Sequence, residues 1–254
     1  MSARPWVLAE SNWPAVRATQ YEVAVLPWGA TEAHNTHLPY ATDTIQCAWI
    51  CEESAGRAWT RGARAVVLPA IPFGVQTGQR DIPFCINMNP STQALLLRDV
   101  VRSVEGHGVG KLVIVNGHGG NDFRQMIREL QPATSLFLCT VNWYSCVPPA
   151  EYFDAPGDHA GELETSVMQR LAPSLVLPLD QAGAGKAKRP KVAGFREGWA
   201  WAPRAWTQVT ADTGVGNPRA ATAEKGVRFL EAVSERLAAF LLDLSAADPN
   251  SMYE

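Results

Sequence analysis

The chain has 254 residues, 22 Lys and Arg against 25 Asp and Glu, and a formal charge of −3. Hydrophobic residues make up 46% and charged residues 19%, which excludes a disordered chain and argues against a nucleic-acid or membrane-surface binder. No apolar run reaches the roughly 18 residues of a membrane span, and the first residues lack the apolar core of a signal peptide, so a cytoplasmic protein is expected.

Val23–Trp28 (VAVLPW) is a continuous apolar run and reads as a buried strand. Residues 44–59 read as a helix carrying Ile45, Trp49 and Ile50, and residues 65–68 (AVVL) as a second strand. Residues 91–104 place Leu95, Leu96, Val100, Val101 and Val104 at helical spacing. Residues 112–115 (LVIV) form a third strand, and a helix over 121–130 follows, opened by Asn121 or Asp122. Residues 135–141 give a fourth strand and Glu162–Leu171 a helix. The Gly- and Pro-rich stretch 177–204 reads as irregular, a flap or an oligomer contact, and residues 220–242 as a long closing helix. Apolar strands alternating with helices predict an α/β fold with a mostly parallel sheet covered on both faces, here in one domain over residues 1–254. Sites in such sheets form at the carboxyl ends of the strands.

The five cysteines, Cys47, Cys51, Cys85, Cys139 and Cys146, are scattered, with no C-x-x-C pair. Reduced, mostly buried thiols are expected rather than a disulfide framework or a zinc ribbon. Histidine is more informative: four of the five (His34, His37, His118 and His159) fall inside three short polar motifs.

The first motif, WGATEAHNTHLPYATD at 28–43, follows the first strand. Glu32 and His34 are two apart, so an extended chain points both the same way. With Asp43 they make a carboxylate–imidazole–carboxylate set suited to Zn²⁺ or Mn²⁺, although Asp43 could equally cap the next helix. The second motif, VNGHGGN at 115–121, sets His118 among glycines at a strand-to-helix turn. There Gly119 and Gly120 could offer N–H donors to an oxyanion. The third, DHAGELETS at 158–166, places His159, Glu162 and Glu164 at a helix start, where acids also suit the helix dipole. Trp143, after the fourth strand, is a candidate pocket wall. No G-x-S-x-G elbow or G-x-G-x-x-G turn supports a serine hydrolase or a dinucleotide site.

These three motifs, with GNPRAATAEKG at 216–226, resemble the creatininase (creatinine amidohydrolase) family over most of the chain and in the same order. The resemblance implies a three-layer α/β/α sandwich, two divalent ions per subunit (Zn²⁺ or Mn²⁺), and a homo-oligomer, often a hexamer. By motif, Glu32, His34, Asp43 and His118 match metal ligands, with Asp43 bridging. Creatininase itself has Tyr-Glu after the NGH histidine, with that Glu on metal; here Gly119 and Gly120 stand there. Glu164 is the expected replacement ligand and Glu162 the second choice; Asn35-Thr36 after His34, where many members have Gly-Pro, marks a branch distinct from true creatininase. The implied function is a metal-dependent hydrolase of a small cyclic amide or formamide, in which hydroxide made at the metals attacks the carbonyl. His159 or Glu162 then protonates the leaving group, and Gly119, Gly120 and Trp143 contact substrate. The alternatives are hydrolytic C–C opening of a cyclic polyol ketone, and a catalytically dead binding protein.

Overall fold

The computed structural model describes residues 3–253. A short helix, α1 (Trp13–Ala18), leads into the first strand, β1 (Val23–Trp28), and then α2 (Thr42–Thr60), β2 (Ala65–Val67) and α3 (Pro90–Glu105). β3 (Lys111–Asn116), α4 (Arg124–Leu130), β4 (Phe137–Asn142) and α5 (Glu162–Leu171) follow. The chain ends with α6 (Ala193–Glu197), α7 (Trp206–Val209) and α8 (Ala223–Ala246). The four strands form one all-parallel sheet in the order β2-β1-β3-β4. Among the described residues no helix is long and apolar enough to cross a membrane.

Alternation along each strand divides the core into two layers. Val23, Val25, Val113 and Val115 face α2, α5 and α8, meeting Cys47, Ile50, Val167, Phe229 and Leu237. Ala24, Leu26, Leu112, Ile114 and Leu138 face α3 and α4, meeting Leu97, Val101, Val104 and Leu130. Helices therefore cover both faces, giving the three layers, and the apolar strand runs follow from burial on both sides. Cys47 and Cys51 are buried; Cys85, Cys139 and Cys146 are half-buried, and all five are free thiols.

Most element boundaries differ from the sequence expectation by a few residues, and three differences bear on the site or on the irregular stretch. α2 starts at Thr42, so Asp43 lies in its first turn and its carboxylate caps nothing. Helix α4 starts at Arg124 rather than 121. Asn121 is committed elsewhere: its Oδ1 accepts from the Val75 N–H and from Gln93 Nε2, and its Nδ2 donates to Asn116 Oδ1. The irregular stretch 177–204 also contains one short helix, α6.

The helix α2 comes unusually close to the sheet. A Cβ on Gly117 would lie 2.8 Å from Cys47 Cβ and 3.0 Å from the Asp43 carbonyl oxygen. Only glycine at the end of β3 lets the first turn of α2 settle between the ends of β1 and β3. That placement brings Asp43 to the centre of the carboxyl edge of the sheet.

Candidate metal centre

The loop after β1 brings in Glu32 and His34, α2 brings Asp43, the turn after β3 brings His118, and the segment entering α5 brings His159 and Glu164. Glu32, His34, Asp43, His118 and His159 are buried, and Glu164 is partly exposed. His34 Nε2 lies 2.9 Å from Asp43 Oδ1 and 4.0 Å from a Glu164 oxygen. His118 Nδ1 lies 3.0 Å from Asp43 Oδ2 and 2.8 Å from Glu32 Oε1. Asp43 thus gives one oxygen to each imidazole. Three sets of donor atoms lie within 4.8 Å of one another: Glu32, Asp43 and His118; His34, Asp43 and Glu164; and Glu32, His34 and His159.

Each histidine uses its other nitrogen in the same way. His34 Nδ1 donates to the Glu32 carbonyl (3.1 Å), His118 Nε2 to the Val75 carbonyl (3.0 Å), and His159 Nε2 to the Ala33 carbonyl (2.8 Å). A carbonyl only accepts, so that nitrogen carries a hydrogen and the opposite nitrogen is the one that faces the carboxylates. Imidazoles bound to metal are held in this way.

Charge supports the same interpretation. Three carboxylates meet here, and among the described residues no Lys or Arg forms an ion pair with any of them. Uncompensated buried carboxylates are costly, so His34 and His118 are driven to hold protons. Burial alone would lower His34, but Asp43, Glu164 and Glu32 outweigh it and raise its pKa to about 10. His118 is likewise opposed by burial and raised well above its ordinary value by Glu32 and Asp43. Burial works against ionisation of Asp43 too, yet His34 and His118 hold its carboxyl below the usual range. Burial raises Glu164. A mixed N/O set of this charge fits one or two divalent cations of the Zn²⁺ or Mn²⁺ type.

Four expected site residues lie elsewhere or contribute differently. Glu162, expected as a proton donor or second-choice ligand, is fully buried and turned away. Its carboxylate accepts from the Ala155 N–H at 2.8 Å and pairs with Lys225. Two positions apart on α5, Glu162 and Glu164 differ by roughly 200° around the helix, so they cannot both face the centre. Trp143 is 1% exposed and packs in the core on Phe229 and Tyr144, because β4 directs it under α8 rather than into a pocket. Gly119 is exposed with open space beside it. Gly120 has a steric role: a Cβ there would meet the Val75 carbonyl oxygen at 2.0 Å and His118 Nε2 at 2.5 Å. His37 lies outside the cluster; its Nε2 is 2.8 Å from Thr165 Oγ1, and burial lowers it to about 4.

Three contributors escaped the sequence reading. Val75 acts through its backbone, which no side-chain pattern reveals. Gln79 bonds Glu32, but glutamine is not a metal-ligand type. Trp206 stacks edge-on to His159 with ring centroids 4.8 Å apart, and nothing in its irregular neighbourhood signalled this.

The family model Creatininase, described as creatinine amidohydrolase, matches residues 9–241. The mycofactocin precursor peptide peptidase of Mycobacterium ulcerans (strain Agy99) is 30% identical over 234 residues, covering 89% of this chain and 84% of that protein. A candidate creatinine amidohydrolase from Bacteroides fragilis NCTC 9343 superposes with a TM-score of 0.94 at 44% identity, over 100% of both chains. A mutant creatininase of the Zn-Zn type shares the fold, with a TM-score of 0.79 at 24% identity over 96% of this chain and 100% of that one. Fold and sequence together place the chain in the creatininase family, in a branch apart from creatininase itself.

Proposed function

We propose that this protein is a dinuclear metal-dependent hydrolase of a C–N bond beside a carbonyl, in a small cyclic amide or a formamide-type substrate. One observation carries the reading: three carboxylates and three imidazoles, each imidazole with one ring nitrogen aimed inward and the other tied to a backbone carbonyl, converge with no neutralising Lys or Arg among the described residues. Glu32, Asp43 and His118 would hold one ion, and His34, Asp43 and Glu164 the other, with Asp43 shared. Bound Zn²⁺ or Mn²⁺ supplies Lewis acidity and lowers the pKa of water from about 15.7 towards roughly 7.

The protein's own groups do the rest. Asp43, Glu32 and Glu164 concentrate negative charge where a cation is needed. His159 fixes its hydrogen on Nε2 through the Ala33 carbonyl, which leaves Nδ1 facing inward, 3.8 Å from Glu32 Oε1. From there Nδ1 can take up a proton and deliver it to the departing nitrogen. Trp206 packs edge-on against the buried His159 ring. The backbone at Gly119 and Gly120, exposed beside His118, is the proposed contact for the substrate oxygen.

A peptide amide is the second reading, favoured by the relative named as a peptide peptidase. Assembly into a homo-oligomer is also proposed, supported by Trp199 and Trp201, which are 76% and 85% exposed. Metal analysis of the purified protein and a substrate panel of cyclic amides, formamides, short peptides and cyclic polyol ketones with mass detection test the function. Two equivalents of metal with amide turnover support it. Metal with turnover of ketones alone would replace it with C–C hydrolysis, and absence of metal would leave a binding protein.

A further inference from the structure

The carboxylate of Glu32 has two oxygens with different surroundings. Oε1 faces the candidate centre, 2.8 Å from His118 Nδ1, 3.8 Å from His159 Nδ1 and 3.9 Å from His34 Nε2. Oε2 faces the opposite way and accepts the Nε2–H of Gln79. Gln79 is 1% exposed, so this amide has exchanged water for fixed partners. Its own oxygen, Oε1, accepts from the Cys85 thiol at 3.3 Å, and Cys85 Sγ accepts the Ala33 N–H at 3.2 Å. Ala33 follows Glu32, so the contacts close a ring: carboxylate, amide, thiol, main chain, carboxylate.

The ring has directional logic. The thiol donates its one hydrogen, which makes the amide oxygen face it and leaves the amide NH₂ to face the carboxylate. Glutamine is neutral, so it orients Glu32 without offering a competing positive charge, as Lys or Arg would. The loop carrying Gln79 is pinned independently: Gln76 Nε2 donates to the Thr31 carbonyl at 2.6 Å and the Ile86 carbonyl at 2.9 Å, and Gln76 N donates to Asn87 Oδ1 at 2.9 Å.

We propose that Gln79, oriented by the Cys85 thiol, is a positioning residue that restricts Glu32 to one-oxygen coordination and so sets the affinity of the cation shared by Glu32, Asp43 and His118. This rests on the metal-centre reading above. Partners of metal ligands generally contribute about 10- to 100-fold in affinity.

The test uses the full-length protein and Zn²⁺ or Mn²⁺ in competition with a chromophoric chelator. Gln79→Met, similar in volume and without the amide, should weaken one of the two metal equivalents by about 10- to 100-fold and leave the other within about 3-fold. Cys85→Ala should weaken the same equivalent, and Cys85→Ser, which restores a donor, should bring it back. The Cys85 pair leaves Gln79 in place and carries the test if Gln79→Met fails to fold. Wild-type affinity in Gln79→Met, equal weakening of both equivalents, or identical affinities for the Cys85 variants overturns the proposal. Wild-type protein that binds no metal overturns the underlying metal reading instead, so the two failures are distinguishable.

Discussion

Three histidines here each commit one ring nitrogen to a backbone carbonyl, and the consequences are testable residue by residue. His118→Ala should remove most bound metal and reduce turnover by orders of magnitude; elemental analysis and kinetics on the same sample check it, and a fully metallated active variant would refute the ligand role. His159→Ala should retain metal but lose rate, and an unchanged kcat would remove it from the mechanism. Proton competition also has a definite sign. His34 is raised to about 10 in the folded metal-free protein, above its ordinary value of about 6.5. Its proton therefore stabilises the metal-free fold fully below pH ~6.5, and that contribution is lost as pH rises through about 10. A cation needs the same lone pair, so metal affinity should climb with pH across that window. Calorimetry in two buffers of different ionisation heat should register proton release on binding at neutral pH; no release would mean that His34 is already neutral. At this scale the sequence was readable where chemistry resides in residue type and spacing, as at Glu32, His34, Asp43 and His118, which the fold brings together. It was silent where the contribution comes from a carbonyl (Val75, Ala33) or a neutral amide (Gln79).

Helix α5 distributes its two acids to opposite purposes. Glu164 faces the centre, whereas Glu162 ties α5 to Lys225 in the first turn of α8. Glu164→Gln should weaken one metal site. Glu162→Gln should lower the thermal midpoint and leave metal content alone, and the reverse order would exchange their roles. α5 and α8 also pack backbone to backbone: a Cβ on Gly226 would meet the Ser166 carbonyl oxygen at 2.1 Å. Gly226→Ala should cost about 1–3 kcal/mol through forced separation, read as a lower urea midpoint. The hydrophobic period revealed the helix over Glu162–Leu171 but could not say which acid faced inward. That choice depends on where α8 lies, and α8 is more than fifty positions later in the chain.

For the whole molecule, the sheet was legible because strands buried on both faces must be largely apolar: β1 is so along its whole length, and β3 is so from Leu112 to Val115, between Lys111 and Asn116. The loops over its carboxyl edge were not, since residues 72–89 carry no periodicity and are held by side-chain bonds to distant backbone. Those loops surround an excess of buried negative charge, so the entire fold should respond to cations. Adding Zn²⁺ or Mn²⁺ at about 1,000 times the dissociation constant should stabilise the protein by roughly 4 kcal/mol. Scanning calorimetry with and without chelator checks this, and superimposable melting curves would refute it. The donors are also far apart in the chain, from Glu32 to Glu164, and belong to four different segments. A nascent polypeptide still missing α5 therefore has only part of its coordination sphere. Capture of the ion should wait until the ribosome has delivered that helix, so a tightly held ion would report that tertiary assembly is complete.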